Sequence, residues 1–352
     1  MNFVSKRPDE LRAFAGAILA AAGSAPEEAA IVADHLVEAN LTGHDSHGVG
    51  LLPMYVQDRL DGKVRANGHA ELIKQDGPIA IFDADMAFGH VVAREVTDWG
   101  IAQAKATGLT MIGLRNAYHV ARLGSYAEQA FEAGLVSILF VNVVFGAPRV
   151  APFGGADGRL HTNPICIGVP GSDSHLPFLL DFATSRIAIG KVRVAFEEGR
   201  MLPDGVLLDG HGRPANDPGV LFSAPFGAIL PFGEHKGYGL AVACELLAGA
   251  LTGGVVNRSA NPGNRALTNS VLAIFVDPSR FGELPVFHAT VTDIIAHLKA
   301  APALAGGSGV LIAGDPERQS RARRSADGIP MGQTTWEQIC TAGARVGVDT
   351  AP

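Results

Sequence analysis

Two imidazoles stand inside one short polar turn, Gly43-His44-Asp45-Ser46-His47-Gly48, and a third follows in Asn116-Ala117-Tyr118-His119. Histidine is the side chain whose ordinary pKa, about 6.5, lets it take up and release a proton near neutral pH. Presented between glycines, such residues read as a working site and not as packing. The structural alternatives are an imidazole at a helix C-terminus for His47 and a loop-orienting residue for His44. Four more polar islands follow: His161-Thr162-Asn163-Pro164, Asp181-Phe182-Ala183-Thr184-Ser185, Gly233 to Gly239, and Gly314-Asp315-Pro316-Glu317. Each falls at a predicted strand end or helix start, where unpaired backbone N–H groups suit phosphates. Lys236 can add a point charge there, although alone it also reads as a solvated lysine, and Thr184-Ser185 as a helix cap. The chain has no Gly-x-Gly-x-x-Gly after a predicted strand and no Gly-x-x-x-x-Gly-Lys-Ser/Thr. A nucleotide site here therefore needs an architecture other than a Rossmann domain or a P-loop.

The elements that must position these residues change character along the chain. Leu11, Phe14, Ile18, Leu19 and Ala22 recur at helical spacing. Ser24-Ala25-Pro26-Glu27 resembles a capping box that opens a second helix through Val32, His35 and Leu36, ended by Gly43. That places the His44–His47 turn at a helix C-terminus, with another helix over Leu51 to Leu60. The middle holds short apolar, mostly β-branched runs, which read as buried strands: Thr110 to Arg115, Val136 to Val144, Ile165 to Val169, Phe178 to Phe182 and Val271 to Val276. Helical patterns lie at Val92 to Ala106, Tyr126 to Ala133, Gly239 to Leu251 and, in the tail, from about Glu317 to Val348. The expected fold class is α/β (α+β). A discontinuous helical domain, residues 1–75 plus 290–352, carries the histidine loop and packs on an α/β mixed-sheet domain, residues 76–289.

Composition narrows the function. Of 352 residues, 47% are apolar and 18% are charged, which argues against disorder and for a well-buried globule. Net charge is −7, and Arg321-Ala322-Arg323-Arg324 is the densest basic stretch, so nucleic acid is not an expected partner. Cys166, Cys244 and Cys340 are few, scattered and odd in number, which fits a reducing cytoplasm better than a disulfide framework. The apolar run Ala13 to Gly23 is too short to span a bilayer. A metal-dependent hydrolase using His44, Asp45, His47 and His119 is the alternative from another enzyme class. A binding protein that has lost catalysis is the non-enzymatic one.

In order along the chain, these motifs resemble the malate/L-lactate dehydrogenase family that lacks a Rossmann fold. The likeness covers Gly43 to Gly48, Asn116 to His119, Ala151-Pro152-Phe153-Gly154-Gly155, Thr162-Asn163-Pro164, Asp181 to Ser185, Gly190-Lys191, His235-Lys236-Gly237, Asp327-Gly328-Ile329-Pro330 and Trp336. It implies a non-Rossmann mixed-sheet domain binding NAD or NADP, and hydride transfer between a 2-oxo acid and a 2-hydroxy acid. It also implies a homodimer with the active site near the subunit interface, and no metal. Within the family, malate, lactate, ureidoglycolate and cyclic imino acids are all candidate substrate types.

Carried over by position, His47 is the proton donor and His119 a second histidine assigned as base. His44 and Ser46 fall on the substrate side. The implied cofactor contacts are Asn142, Thr162, Phe178, Leu179, Leu180, Asp181, Phe182, Ala183, Thr184, His235, Lys236, Gly314, Asp315 and Pro316, with Val143 replacing a serine. Asp181 is also expected to orient His47 and raise its pKa. Many relatives carry an arginine where this chain has Leu51. The substrate carboxylate then needs another cation, Arg122 first and Arg149 second. An apolar Leu51-Leu52 pair at the site mouth would favour larger or aromatic 2-oxo acids.

Overall fold

The computed structural model describes residues 3–258 and 266–349. Helix α1 (Pro8–Ala21) buries Leu11, Phe14, Ala15, Ile18 and Leu19, one face of a 3.6-residue repeat. Helix α2 (Pro26–Leu41) buries Val32, His35, Leu36 and Ala39. It starts on Pro26 after Ala25, without a capping bond from Ser24, because proline in the first turn needs no N–H partner. Two short 3-10 turns, Asp45–His47 and Val49–Leu51, lead into α3 (Leu52–Leu60).

The first residues are not helical. β1 (Phe3–Lys6) is a strand, and after α3 the chain enters a hairpin of β2 (Glu71–Asp76) and β3 (Ile79–Asp83). All six β2 residues are exposed, so no alternation of apolar and polar residues marks the strand in sequence. Then come α4 (Gly89–Thr107), β4 (Leu109–Ala117), α5 (Gly124–Glu132), β5 (Val136–Val144), β6 (Ile165–Val169) and β7 (Phe178–Phe182). With β2 and β3, and with β11 (Thr268–Val276) further on, these strands form a seven-stranded mixed sheet. Its order is β2-β3-β4-β11-β5-β6-β7, and β3–β4 is its parallel pairing. Helices α4 and α5 cover one face.

Beyond β7 lie α6 (Ile189–Glu197) and a small sheet of two-residue strands, β8 (Leu207–Leu208), β9 (Pro214–Ala215) and β10 (Ala228–Ile229). They enclose a separate small core of Val150, Val192, Leu207, Leu221 and Ile229. Helix α7 (His235–Cys244) passes into a π-helical turn, Glu245–Ala250, packed against β5 and β11 (Thr268–Val276). Helix α8 (Leu284–Lys299) buries no residue. The tail is not one helix. It consists of α9 (Asp315–Asp327), β12 (Ile329–Gly332) and α10 (Gln333–Arg345). Gly328 at φ +89° and Pro330 stop the helix, and β12 pairs antiparallel with β1, Val4 opposite Met331.

The core of the terminal helices therefore draws on both ends of the chain: Leu11, Ile18, Leu36 and Tyr55 pack with Ile329, Trp336 and Ile339. Phe88 and Tyr118 reach into it from the sheet side, which sets the histidine loop against the end of β4. No helix among the described residues is long and apolar enough to cross a membrane.

Candidate active site

The histidine loop leaves α2 through Gly43, whose φ of +86° is a left-handed value that costs glycine little. The far tail then clamps it. Arg324 of α9 donates to both Asp45 carboxylate oxygens, at 2.6 and 2.9 Å, and also to the Asn40 carbonyl. Asn40 donates to Asp45 at 2.7 Å and accepts the Val49 N–H at 2.8 Å. A Cβ on Gly48 would lie 2.2 Å from the Asn40 side-chain oxygen, which explains the glycine after His47. Asp45 is thus a structural anchor. Among the described residues no three His, Cys, Asp or Glu side chains gather to hold a metal ion, which leaves the hydrolase alternative without its ligand set.

His47 stacks on His119, ring centres 5.6 Å apart and planes 30° from parallel. Ser46 Oγ lies 3.0 Å from His47 Nδ1, and Tyr55 Oη 2.7 Å from His119 Nδ1. Burial pushes the His47 imidazolium down to about 4; the Asp181 charge pulls upward but is outweighed. His119 is held well below its ordinary value, again by burial first. Asp181 thus acts in the expected direction, but burial, which the sequence does not show, sets the net sign. Asp181, on β7, is itself pushed up by burial, against the pull of Arg122, and its Oδ2 accepts the Gly124 N–H at 2.7 Å. His44 lies 3.9 Å from Glu317, with its pKa lowered chiefly by burial.

Arg122, expected first as the cation for a substrate carboxylate, is not available for one. Arg122 is fully buried, and its two terminal nitrogens are committed to Glu128 at 2.7 and 2.9 Å, so no fork is free. Arg149 donates to the Leu221 carbonyl at 2.9 Å and lies over the Phe226 ring. Lys191 is exposed, and its charge acts on both His44 and His47. Its signal was the Gly190-Lys191 pair, which carried no role in the sequence reading. Gly190 passes so close that a Cβ would sit 2.9 Å from Ser46 Cβ. A cleft of about 550 Å³ runs beside the loop, walled by Ser46, Gly190, Lys191, Leu202 and Pro330 among others. Leu52 is buried in the helical core, so Leu51 alone is partly exposed, and the apolar pair at the mouth is not formed.

The segments expected from sequence to contact a dinucleotide meet along β7. At its start the Leu179 N–H bonds the Ala313 carbonyl at 3.1 Å, which brings Phe178, Leu179 and Leu180 beside Gly314, Asp315 and Pro316. Asp315 is occupied by Arg318, Lys299 and the Ile312 N–H. Past its end Thr184 bonds the Thr162 carbonyl through both N–H and hydroxyl, and the Phe232 N–H bonds the Thr184 carbonyl. Phe182, Ala183 and Thr184 thereby lie next to His235 and Lys236. Those two residues are exposed in the first turn of α7, which begins at His235 and not near Gly239.

Asn142 is different: it is buried, donating to the Val255 carbonyl at 2.7 Å and accepting the Ser270 N–H at 3.0 Å. With those bonds made, it has no free group to offer a cofactor. Its neighbours Asn163 and Asn257 converge on the buried Glu245 carboxylate, at 3.0 and 2.6 Å. Sequence reasoning missed this cluster, although a lone acid in the apolar Cys244-to-Leu251 helix was a usable signal.

Comparison with known proteins gives the family and the fold. The family described as malate/L-lactate dehydrogenase matches residues 7–340. Hydroxycarboxylate dehydrogenase B of Escherichia coli K12 is 42% identical over 340 residues, 96% of this chain and 93% of that protein. L-lactate dehydrogenase of Cupriavidus necator is 38% identical over 329 residues, 93% of this chain and 94% of that one. The solved structure of an E. coli protein described as a candidate malate/lactate dehydrogenase superposes with a TM-score of 0.92 at 41% identity. It covers 98% of this chain and 96% of that one.

Proposed function

The chain belongs to the malate/L-lactate dehydrogenase family, and from that premise we propose that it interconverts 2-oxo and 2-hydroxy acids with NAD(P), using His47 as acid and base. The observation that carries the assignment is the stacked His47–His119 pair, set where the terminal helical core meets the sheet. We read residues 1–75 with 290–352 as the domain that carries His47, and 76–289 as the dinucleotide-binding domain.

The residues present fit a dinucleotide. The first turn of α7 is exposed and carries Lys236, with Phe153 and His235 in edge contact beside it. A helix N-terminus with an adjacent lysine suits a pyrophosphate. Residues 178–184, Thr162 and Gly314 would line the remainder, largely through backbone. When bound, NAD(P) would supply or accept the hydride.

Everything else falls to the chain's own groups. His47, kept neutral near pH 7 by burial, is ready to accept the hydroxyl proton of a 2-hydroxy acid. In the reverse direction its protonated form, favoured by Asp181, gives a proton to the carbonyl oxygen. Lys191, an exposed cation whose charge reaches both His44 and His47, takes the substrate carboxylate, since the stronger charge of Arg122 is already held by Glu128. A homodimer in the cytoplasm completes the reading. The uncovered α8, with Val286, Ile294 and Leu298 exposed, supports a subunit contact.

The test follows absorbance at 340 nm with NADH and with NADPH. The panel is pyruvate, oxaloacetate, 2-oxoglutarate, phenylpyruvate and a cyclic imino acid, for wild type and His47→Ala. Oxidation with one of these substrates, lost in the variant, is expected. Silence across the panel, with or without dinucleotide binding in a titration, would sink the assignment.

A further inference from the structure

Four imidazoles, not two, gather at this junction. Beyond His119, the Tyr55 hydroxyl lies 3.5 Å from His90 Nε2, so one phenol bridges the two histidines. His90 is completely buried and packs edge-to-face with His35, ring centres 4.8 Å apart. His90 Nδ1 and His35 Nε2 are buried with no partner among the described residues. Leaving such atoms unpaired is costly, and packing alone does not call for two in one contact. His35, 8% exposed, and the deeper His90 both border a second cavity of about 520 Å³ between α2, α4 and α5. Five carboxylates, Asp34, Glu38, Asp98, Glu128 and Glu132, outnumber the two arginines there, Arg94 and Arg321, and the cavity is separate from the cleft beside Ser46.

We propose that Tyr55, His90 and His35 form a proton conduit linking the His47–His119 pair to this acidic cavity. The inference rests on the reading of His47 as acid and base. Oxidation of a hydroxy acid sets free one proton for each hydride removed, and a site closed by cofactor and substrate must export it. His47 takes up that proton first and hands it to Nε2 of His119, which is in its Nδ1–H tautomer. No hydrogen bond joins the stacked rings at rest, so this leg closes by ring rotation. The Nδ1 proton passes to the Tyr55 oxygen while the Tyr55 hydroxyl proton passes to His90 Nε2. His90 then gives up its Nδ1 proton to His35, which releases one to water in the cavity. No heavy-atom bond changes, and the net result is one proton moved. The passage leaves each hydrogen bond reversed, which is the arrangement needed to carry a proton inward during reduction. Burial holds His35, His90 and His119 neutral at pH 7, so each keeps a lone pair to receive the proton and none retains it. The His90–His35 leg has no hydrogen bond at rest and closes by ring rotation. The Arg122 guanidinium opposes the charging of His35, while the Arg122 backbone, bonded to the ring, favours it. Of the cavity carboxylates, Asp34 and Glu38 are paired with arginines, and Asp98 and Glu132 are the ones placed to receive what leaves.

Stopped-flow mixing of the enzyme with NAD(P) and a 2-hydroxy acid separates the two events: 340 nm follows hydride transfer, and a pH-indicator dye follows proton release. In wild type the two signals rise together. Tyr55→Phe, which keeps the ring, is expected to retain the 340 nm burst while the dye signal lags about tenfold. His35→Ala, at the cavity wall, should show the same lag and be restored by added imidazole, which a merely structural role would not allow. The proposal is overturned if both variants release protons in step with hydride transfer, or if imidazole leaves His35→Ala unchanged. It is also overturned if Tyr55→Phe loses the burst itself while His35→Ala is normal, since Tyr55 then only positions His119. Failure of the underlying reading looks different: His47→Ala keeps the full burst, or wild type gives neither signal, and the conduit falls with it.

Discussion

Two buried polar clusters sit on opposite sides of the sheet core, and they are built on opposite principles. Around Glu245, the amides of Asn142, Asn163 and Asn257 meet carboxylate, carbonyl and N–H partners, so the cluster behaves as a joint. Around Tyr55, the imidazoles of His35, His90 and His119 share one phenol, and two ring nitrogens have no partner among the described residues. The first cluster gains fixed shape from complete pairing. The second gives up pairing and keeps free lone pairs beside His47. The satisfied cluster is a structural joint, and the unsatisfied one is where we propose that protons move.

The largest effect that would test this contrast is on the histidine side. His47→Ala should lower kcat about 10³-fold, the span of general acid–base catalysis, with unchanged thermal unfolding. Steady-state rates and calorimetry together check it, and an equally unstable variant would blur the distinction. Glu245→Ala should do the reverse, destabilising by about 3 kcal/mol because several amides lose their acceptor. Denaturant midpoints measure this, and the pH profile of the surviving activity should not move.

Acid should then separate the clusters without any mutation. His35 folds with its pKa lowered to about 3, and His90 is also lowered, both by burial. A lowered folded value means that the unfolded chain binds more protons. Stability is complete above the unfolded value near 6.5 and is lost as pH falls below it. At pH 5 the loss is about 2 kcal/mol for each such histidine. Unfolding at pH 7 and pH 5, in wild type and His35→Phe, reads it, and an unchanged difference between them would contradict it.

Asp181→Asn removes the upward pull on His47. The acid limb of oxidative kcat/KM, set by a group near 4 in wild type, should move to lower pH, and reduction near neutrality should slow roughly tenfold. Smallest is Leu51→Arg, at the partly exposed edge of the helical core. A gain for oxaloacetate over phenylpyruvate of about threefold suits an exposed charge, and no shift would remove Leu51 from substrate choice.

What was readable in sequence follows from the same physics. Val136–Val144, Ile165–Val169 and Phe178–Phe182 are strands over the residues expected, because strands inside a covered sheet read as continuous apolar runs. β2, exposed throughout, and the β1–β12 pair, joined across the whole chain, leave no local pattern. The histidine loop was legible by residue type. Arg122 was misread because its charge is taken by Glu128, a partner that only the turn into α5 brings within reach. The sign of the His47 shift was equally hidden, since it is a contest between burial and one carboxylate that distances decide.

The clamp on the histidine loop also carries a schedule. His44, His47 and His119 leave the ribosome before Arg324 and before the β12 strand that closes on Phe3–Lys6, with much of the sheet made in between. Domains ordinarily fold from the N-terminus as they emerge. Here the growing chain carries the histidine loop through the making of the whole seven-stranded sheet without the part that fixes it. The proposed acid–base site is therefore set only when α9 and β12 close back on the N-terminal helices.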